Sequence, residues 1–223
     1  SLIANYLLKK NYNVEILDAE SENLTHNQTA EKIILLNPRL VIFMIYGQQP
    51  SASTQCMPGG RKTCLKLNEL SSNSIKTIVA GTHASALPKK TLEEEPYDFV
   101  CQGEGPLTII KLIDHLKSSK VKLEEIPGLW YFDKDKNITS TKPTKMFDNL
   151  DKHLPGQAWK LLDMSKYKAH NWHTFGKLES RGHYASLQTS LGCPFKCTFC
   201  CINAPFERNT IRFWSAKHIF NQI

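Results

Sequence analysis

Cys193, Cys197 and Cys200 stand at C-x3-C-x2-C spacing, with Phe199 just before the third thiol. Thiolates this close in sequence can converge on a soft metal centre, because a short loop can turn all three sulfurs inward. A [4Fe–4S] cube is ordinarily held by four cysteines, so three leave one iron open to bind and activate a substrate. Structural zinc is the competing chemistry. It favours paired C-x2-C units, or histidines at short spacing, that together supply four ligands. Here the fourth would have to be Cys201, adjacent to Cys200, or a distant residue such as His183. The spacing favours iron–sulfur over zinc and leaves Cys201 as a free thiol beside the site.

The rest of the chain must hold that loop. Its 223 residues suffice for one large domain or two modest ones, and 41% hydrophobic with 22% charged residues fits a soluble globular protein. The net charge is +7, but the lysines are scattered and no basic cluster is interleaved with aromatics. Solvated surface is the better reading than a nucleic-acid footprint. The apolar run from Leu40 to Tyr46 is too short to span a membrane. Seven cysteines, with no secretory leader in view, favour metal or catalysis in a reducing, cytoplasmic setting over a disulfide framework. The sequence begins at Ser1 without a methionine and ends at Ile223 inside a helical pattern, so it reads as cut at both ends.

Periodicity divides the first half into alternating helices and strands. Leu2 to Lys10 reads as a helix, Asn13 to Asp18 as a strand, and Thr29 to Leu36 as a helix capped by Thr25 or Asn27. Leu40 to Tyr46 has the unbroken apolar character of a strand covered on both faces. Thr77 to Ala80 and Asp98 to Cys101 are further short strands, with helices over Arg61–Leu70 and Pro106–Leu116. The pattern predicts an α/β fold with a Rossmann-like, doubly wound parallel sheet over residues 1–120, its first strand missing. Residues 121–180 follow as a hairpin, Ile126 to Thr141, and an irregular linker with Trp159, His170, Trp172 and His173. Residues 181–223 carry the thiol loop after a strand-like segment, Tyr184 to Ser190.

In doubly wound sheets, ligands bind beyond the carboxyl ends of the strands. Three segments stand there: Tyr46 to Gln55, Gly81 to Ser85, and Gln102 to Pro106. Their glycines permit close approach, and their hydroxyls and amides offer hydrogen bonds, although ordinary turn chemistry would look the same. No nucleotide-binding glycine fingerprint or P-loop occurs, which argues against NAD and nucleoside triphosphates. His83 stands alone and reads as a hydrogen-bonded turn histidine before a metal ligand. Glu104 reads as a helix-start acid or a ligand contact. His170 and His173 lack a third ligand, and Cys56, Cys64 and Cys101 are too far apart to act together.

The run from Cys193 to Cys200 resembles the C-x3-C-x-φ-C signature of the radical S-adenosylmethionine (SAM) superfamily. The segment around it is similar to the first strand and cluster loop of a truncated TIM-like radical SAM barrel, with Ser215 to Ile223 opening its first helix. The upstream half is similar to the cobalamin (B12)-binding domains that precede such barrels. The features that carry this are the Gly47–Gln55 loop, the Val79–His83 turn, the Gly103–Gly105 turn and the Pro127–Tyr131 hairpin.

The resemblance implies that Cys193, Cys197 and Cys200 hold a [4Fe–4S] cluster whose open iron chelates SAM. One electron would cleave SAM to a 5′-deoxyadenosyl radical, which abstracts a substrate hydrogen, with Phe199 packing near the adenine. Cobalamin, the second cofactor, would serve methyl transfer to an unreactive carbon. It would lie over Gly47, Gln48, Ser51, Ser53, Thr54, Gly81, Thr82, His83, Gly103, Glu104 and Gly105. The partners implied are a small-molecule substrate and an electron donor such as flavodoxin or ferredoxin, with no nucleic acid. The alternatives are a radical SAM methylthiotransferase, a B12-dependent rearrangement enzyme, and a non-catalytic zinc-binding or B12-carrier module. The D-x-H-x-x-G motif of some B12 proteins is absent. The remaining barrel strands would lie beyond Ile223, so these residues alone are not expected to be a competent enzyme.

Overall fold

The structure, a computed structural model, describes residues 1–46, 52–118, 120–170, 177, 179, 181–206 and 208–223. The chain forms two compact units. The larger comprises Thr25–Phe147 and Gly192–Ile211, and the smaller Ser1–Leu24, Asp148–Leu191 and Arg212–Ile223.

The larger unit is built on a five-stranded sheet of β1 (Leu40–Met44), β2 (Lys76–Ala80), β3 (Phe99–Cys101), β4 (Leu129–Phe132) and β5 (Ile138–Ser140), in that spatial order. β1, β2 and β3 run parallel, with Leu40 opposite Lys76 and Ile78 opposite Phe99. The hairpin joins the same sheet: β4 pairs antiparallel with β3, Val100 opposite Trp130, and β5 pairs with β4. Successive strand residues point to opposite faces. Val79 and Val100 pack with Met57, Cys64, Leu92 and Tyr97 on one face. Ile78, Phe99 and Cys101 pack with Leu112, Ile126 and Leu129 on the other. The sheet is covered on both sides, which is the doubly wound arrangement that the alternating pattern predicts. Asp98 ties β2 to β3. Its carboxylate accepts the Thr77 amide at 2.9 Å and hydroxyl at 3.0 Å, and holds the Lys76 ammonium at 2.7 Å.

The helices of this unit are α2 (His26–Leu36), α3 (Ala52–Ser71), α4 (Thr82–Ala86), α5 (Pro88–Glu94) and α6 (Pro106–Ser118). The α2 helix starts at a capping box: Thr25 accepts the Gln28 amide, and the Gln28 side chain accepts the Thr25 amide at 3.0 Å. Asn37 closes it in the left-handed conformation, at φ +46°. The α3 helix begins at Ala52, well before the expected Arg61, and carries Pro58 inside it. Pro58-Gly59-Gly60 reads as a breaker in isolation. Burial of Ser53, Met57, Thr63, Cys64 and Leu67 outweighs that propensity. Gly60 also lets the helix lie close on the sheet: a β-carbon there would stand 2.6 Å from Ile45 Cδ1 and 2.8 Å from Tyr97 Oη.

Two strand expectations are corrected. Asn13 to Asp18 forms no ladder, because alternation makes a strand only where a neighbour supplies hydrogen bonds. Among the described residues β1 is accordingly an edge strand; it is only partly buried, with Phe43 against one core and Leu40 and Ile42 against the other. The Tyr184–Ser190 segment is strand only at its end. There β6 (Ser190–Gly192) pairs with β7 (Ile211–Phe213) in a two-stranded ribbon.

In the smaller unit, α1 (Leu2–Leu8) is held by its Asn5 side chain. The Asn5 amide nitrogen lies 3.3, 3.0 and 3.2 Å from the carbonyls of Pro155, Gly156 and Gln157. Asp18 accepts the Tyr167 hydroxyl at 2.7 Å. The Trp214 indole donates to the Leu154 carbonyl at 2.9 Å, and Asp151, next to the start of α7 (Leu150–His153), accepts the Ser215 amide at 2.9 Å. Ser215 caps α8 (Ala216–Phe220), where the sequence pattern suggests a helix opening. Among the described residues, no helix is long and apolar enough to cross a membrane.

Candidate functional site: a thiol loop and a glycine shelf in one unit

The thiol loop leaves the ribbon at Gly192, whose φ of +89° excludes most side chains, and a β-carbon there would lie 2.2 Å from the Thr210 carbonyl. A tight turn follows, in which the Cys200 amide donates to the Cys197 carbonyl at 3.2 Å. Cys193, Cys197 and Cys200 line one open cavity of about 240 Å³, together with Phe195, Lys196, Ile202, Asn203 and Asn209. Cys197 and Cys200 are exposed and Cys193 is half-buried; all three are free thiols. Among the described residues, no three His, Cys, Asp or Glu side chains converge closely enough to hold a single metal ion. A four-iron cube makes a different demand, because each thiolate binds its own iron and the sulfurs stand apart around the cluster. The loop presents its three thiols on one cavity, without the closed four-ligand set of structural zinc. Phe199 is 92% exposed and lies outside the cavity lining.

The strand-end turns differ in what a side chain placed there would meet. Gly81, at φ +144°, serves the packing of the sheet: a β-carbon there would meet the Ile45 carbonyl at 2.1 Å. Ser53 is fully buried, donating to the Ile45 carbonyl at 2.7 Å and accepting the His83 amide at 3.1 Å. Thr54 and His83 Nδ1 are hydrogen-bonded at 2.9 Å, pinning α3 to α4. Burial, and then the nearby Lys90 ammonium, pull the His83 imidazole below its ordinary pKa, which favours the neutral form. Thr82 is buried. Gly47, Gln48 and Ser51 lie outside the described residues, as do Trp172 and His173 of the linker.

Gly103 differs from Gly81. At φ +116° it also needs a glycine, but its missing β-carbon would have nothing closer than Thr144, at 3.6 Å. Its amide donates to Ser85 Oγ at 3.2 Å. Gly105 is also left-handed, at φ +97°. Glu104 between them accepts the Phe147 amide at 3.0 Å, so its carboxylate anchors the connector. Below this glycine shelf Cys101 is buried, and burial pushes its thiol pKa to about 12, which makes it inert.

Two features had no signal in the sequence. One is Asn203. Its side-chain oxygen accepts the Cys193 amide at 2.9 Å, and its nitrogen donates to the Cys193 carbonyl at 2.8 Å. The other is the turn Ala204–Phe206, which packs against α4 with Pro205 buried. Only the general match of an asparagine amide to a peptide group hints at the first, and nothing hints at the second. Together they bring the thiol loop and the glycine shelf into one compact unit.

Residues 1–113 match the family model described as B12 binding domain. An uncharacterized methyltransferase, PH0819, of Pyrococcus horikoshii is 29% identical over 203 residues, covering 91% of this chain and 40% of that protein. An anaerobic magnesium-protoporphyrin IX monomethyl ester cyclase of Synechocystis sp. is 31% identical over 199 residues, covering 89% of this chain and 36% of that protein. The chain thus spans well under half the length of these relatives. Among solved structures, the cobalamin-dependent SAM radical enzyme OxsB, with aqua-cobalamin and SAM bound, superposes with a TM-score of 0.70 at 21% identity. That match covers 99% of this chain and 27% of the other. The radical SAM methyltransferase TsrM of Kitasatospora setae, with cobalamin and a [4Fe–4S] cluster bound, gives 0.69 at 15% identity, over 99% of this chain and 41% of the other. At these identities the two structures show a shared fold.

Proposed function

This chain belongs to the B12 binding domain family, and from that premise we propose that it is the cobalamin- and cluster-binding segment of a radical SAM methyltransferase. The observation that carries the reading is the pairing, in one unit, of three thiols around an open cavity with left-handed glycines at the strand ends. The methyltransferase names among the relatives support the choice of reaction.

In this reading Cys193, Cys197 and Cys200 would hold a [4Fe–4S] cluster, and the turn carrying Gly103 and Gly105 would help to hold cobalamin. When bound, the cluster supplies an open iron and one electron for SAM cleavage, and cobalamin supplies a methyl carrier. The exposed ring of Phe199 is available to cover the adenine and exclude water. Glu104 holds the connector, and the Thr54–His83 bond holds α4, so both keep the shelf in shape. The reading includes a small-molecule substrate and a one-electron donor such as flavodoxin or ferredoxin. It also includes a reducing, cytoplasmic setting, consistent with free thiols.

A methylthiotransferase would need three more cysteines at one place. Cys64 and Cys101 pack on opposite faces of the sheet, so they cannot share a cluster. A second reading, ring formation or rearrangement without methyl transfer, is supported by similarity to the protoporphyrin ester cyclases.

Anaerobic reconstitution with iron and sulfide tests the cluster. Wild-type protein is expected to give a brown species with broad visible absorbance, and Cys197→Ala to lose it. Stoichiometric zinc without iron uptake would sink the reading.

A further inference from the structure

The thiol loop and the glycine shelf are joined by a single short turn. Asn203 uses both ends of its amide on Cys193, as a paired strand residue would, with bonds of 2.9 and 2.8 Å. Its nitrogen also reaches Asn209 Oδ1 at 3.1 Å, which orients the amide. Two residues later Pro205 is buried. The Ala204–Phe206 turn that carries Pro205 rests on α4, and the Pro205 carbonyl lies 3.9 Å from where a β-carbon on Gly103 would stand. The turn thus lies in contact over Gly103 and α4, and a ligand admitted there would have to displace it. The turn adjoins Asn203, whose two bonds tie it to the Cys193 backbone, so a shift of the turn would strain those bonds.

We propose that Asn203 is a positioning residue that couples occupancy of the glycine shelf to the geometry of the three-cysteine loop. Its two bonds to Cys193 are the link, and the Pro205 turn is the part that senses the corrin. The inference rests on the cobalamin reading given above for the ligand of the shelf. Loss of Asn203 removes the link while keeping all three thiols and the shelf; because its amide also lines the thiol cavity, the readout is the response to corrinoid rather than the basal alkylation rate.

The test uses the cluster-free protein and hydroxocobalamin as the probe. The rate of iodoacetamide alkylation at Cys193, Cys197 and Cys200 is followed by peptide mass spectrometry, with and without the corrinoid. Retained corrinoid is read separately from its visible spectrum after gel filtration. In wild type, hydroxocobalamin is expected to change the Cys193 alkylation rate by roughly threefold to tenfold, the scale of one or two neutral hydrogen bonds. In Asn203→Ala the corrinoid is still retained, and the rate no longer responds to it. Asn203→Asp keeps the acceptor for the Cys193 amide, and is expected to restore part of the response. A wild-type rate that ignores retained corrinoid, or an Asn203→Ala rate that still responds, would overturn the coupling. Failure of wild type to retain corrinoid would instead overturn the cobalamin reading, and the coupling with it. The spectrum separates these cases. If Asn203→Ala does not fold, Pro205→Gly, which leaves the Cys193 bonds in place, must lose the response instead; a retained response refutes the proposal.

Discussion

At the scale of single residues, glycines that look alike in sequence do different work. Gly81 and Gly103 each end a parallel strand, and both have φ values forbidden to most side chains. A β-carbon at Gly81 would collide with the Ile45 carbonyl at 2.1 Å, whereas one at Gly103 would stand in ordinary contact with Thr144, at 3.6 Å, and the Pro205 carbonyl, at 3.9 Å. Gly81→Ala is therefore expected to destabilise the protein by roughly 3 kcal/mol or more, because backbone must move as well as φ relax. Gly103→Ala should cost only about 1–2 kcal/mol, the strain of a left-handed alanine. Urea unfolding midpoints decide the comparison, and equal losses would refute it. Gly103→Trp, which puts an indole where the corrinoid is proposed to bind, should abolish corrinoid retention in the folded protein. The thiols were legible for the opposite reason: ligand spacing is written in the chain itself, whereas the role of a glycine depends on what lies opposite. Asn203 was illegible because its partner, Cys193, is ten residues away across a loop with no periodicity.

At the scale of elements, periodicity identified α2, α6, β2, β3 and the hairpin, all segments whose neighbours agree with their local preference. It failed where tertiary packing overrode that preference. The α3 helix runs through Pro58-Gly59-Gly60 because its buried face and the close approach at Gly60 reward it. Asn13 to Asp18 has a strand pattern and no strand beside it. The β2–β3 joint rests on one carboxylate, since Asp98 satisfies the buried Thr77 amide and hydroxyl. Asp98→Ala leaves that amide without a partner and is expected to cost about 2–3 kcal/mol. Asp98→Asn, which keeps an acceptor, should recover more than half of that loss. Chemical denaturation of the two variants measures it, and equal losses would place the stabilisation in the Lys76 ion pair.

At the scale of the whole molecule, neither unit is a continuous stretch of chain: the larger has two segments and the smaller three. The thiol loop is an excursion that returns to the unit holding the sheet, so the three thiols and the strand-end glycines belong to one unit. The five strands are all present once Ser140 has been made. The α1 helix has a different history. Its Asn5 side chain finds its carbonyl partners 150 to 152 residues further along the chain. Closing so long a loop is slow relative to pairing neighbouring elements. Pulse-labelled hydrogen exchange during refolding should show amides of β1 to β3 protected before those of α1, and the reverse order would contradict this account. In a chain made from its amino end, α1 precedes β1 to β5 in synthesis and follows them in docking, and it must remain without its seat until Pro155 to Gln157 emerge.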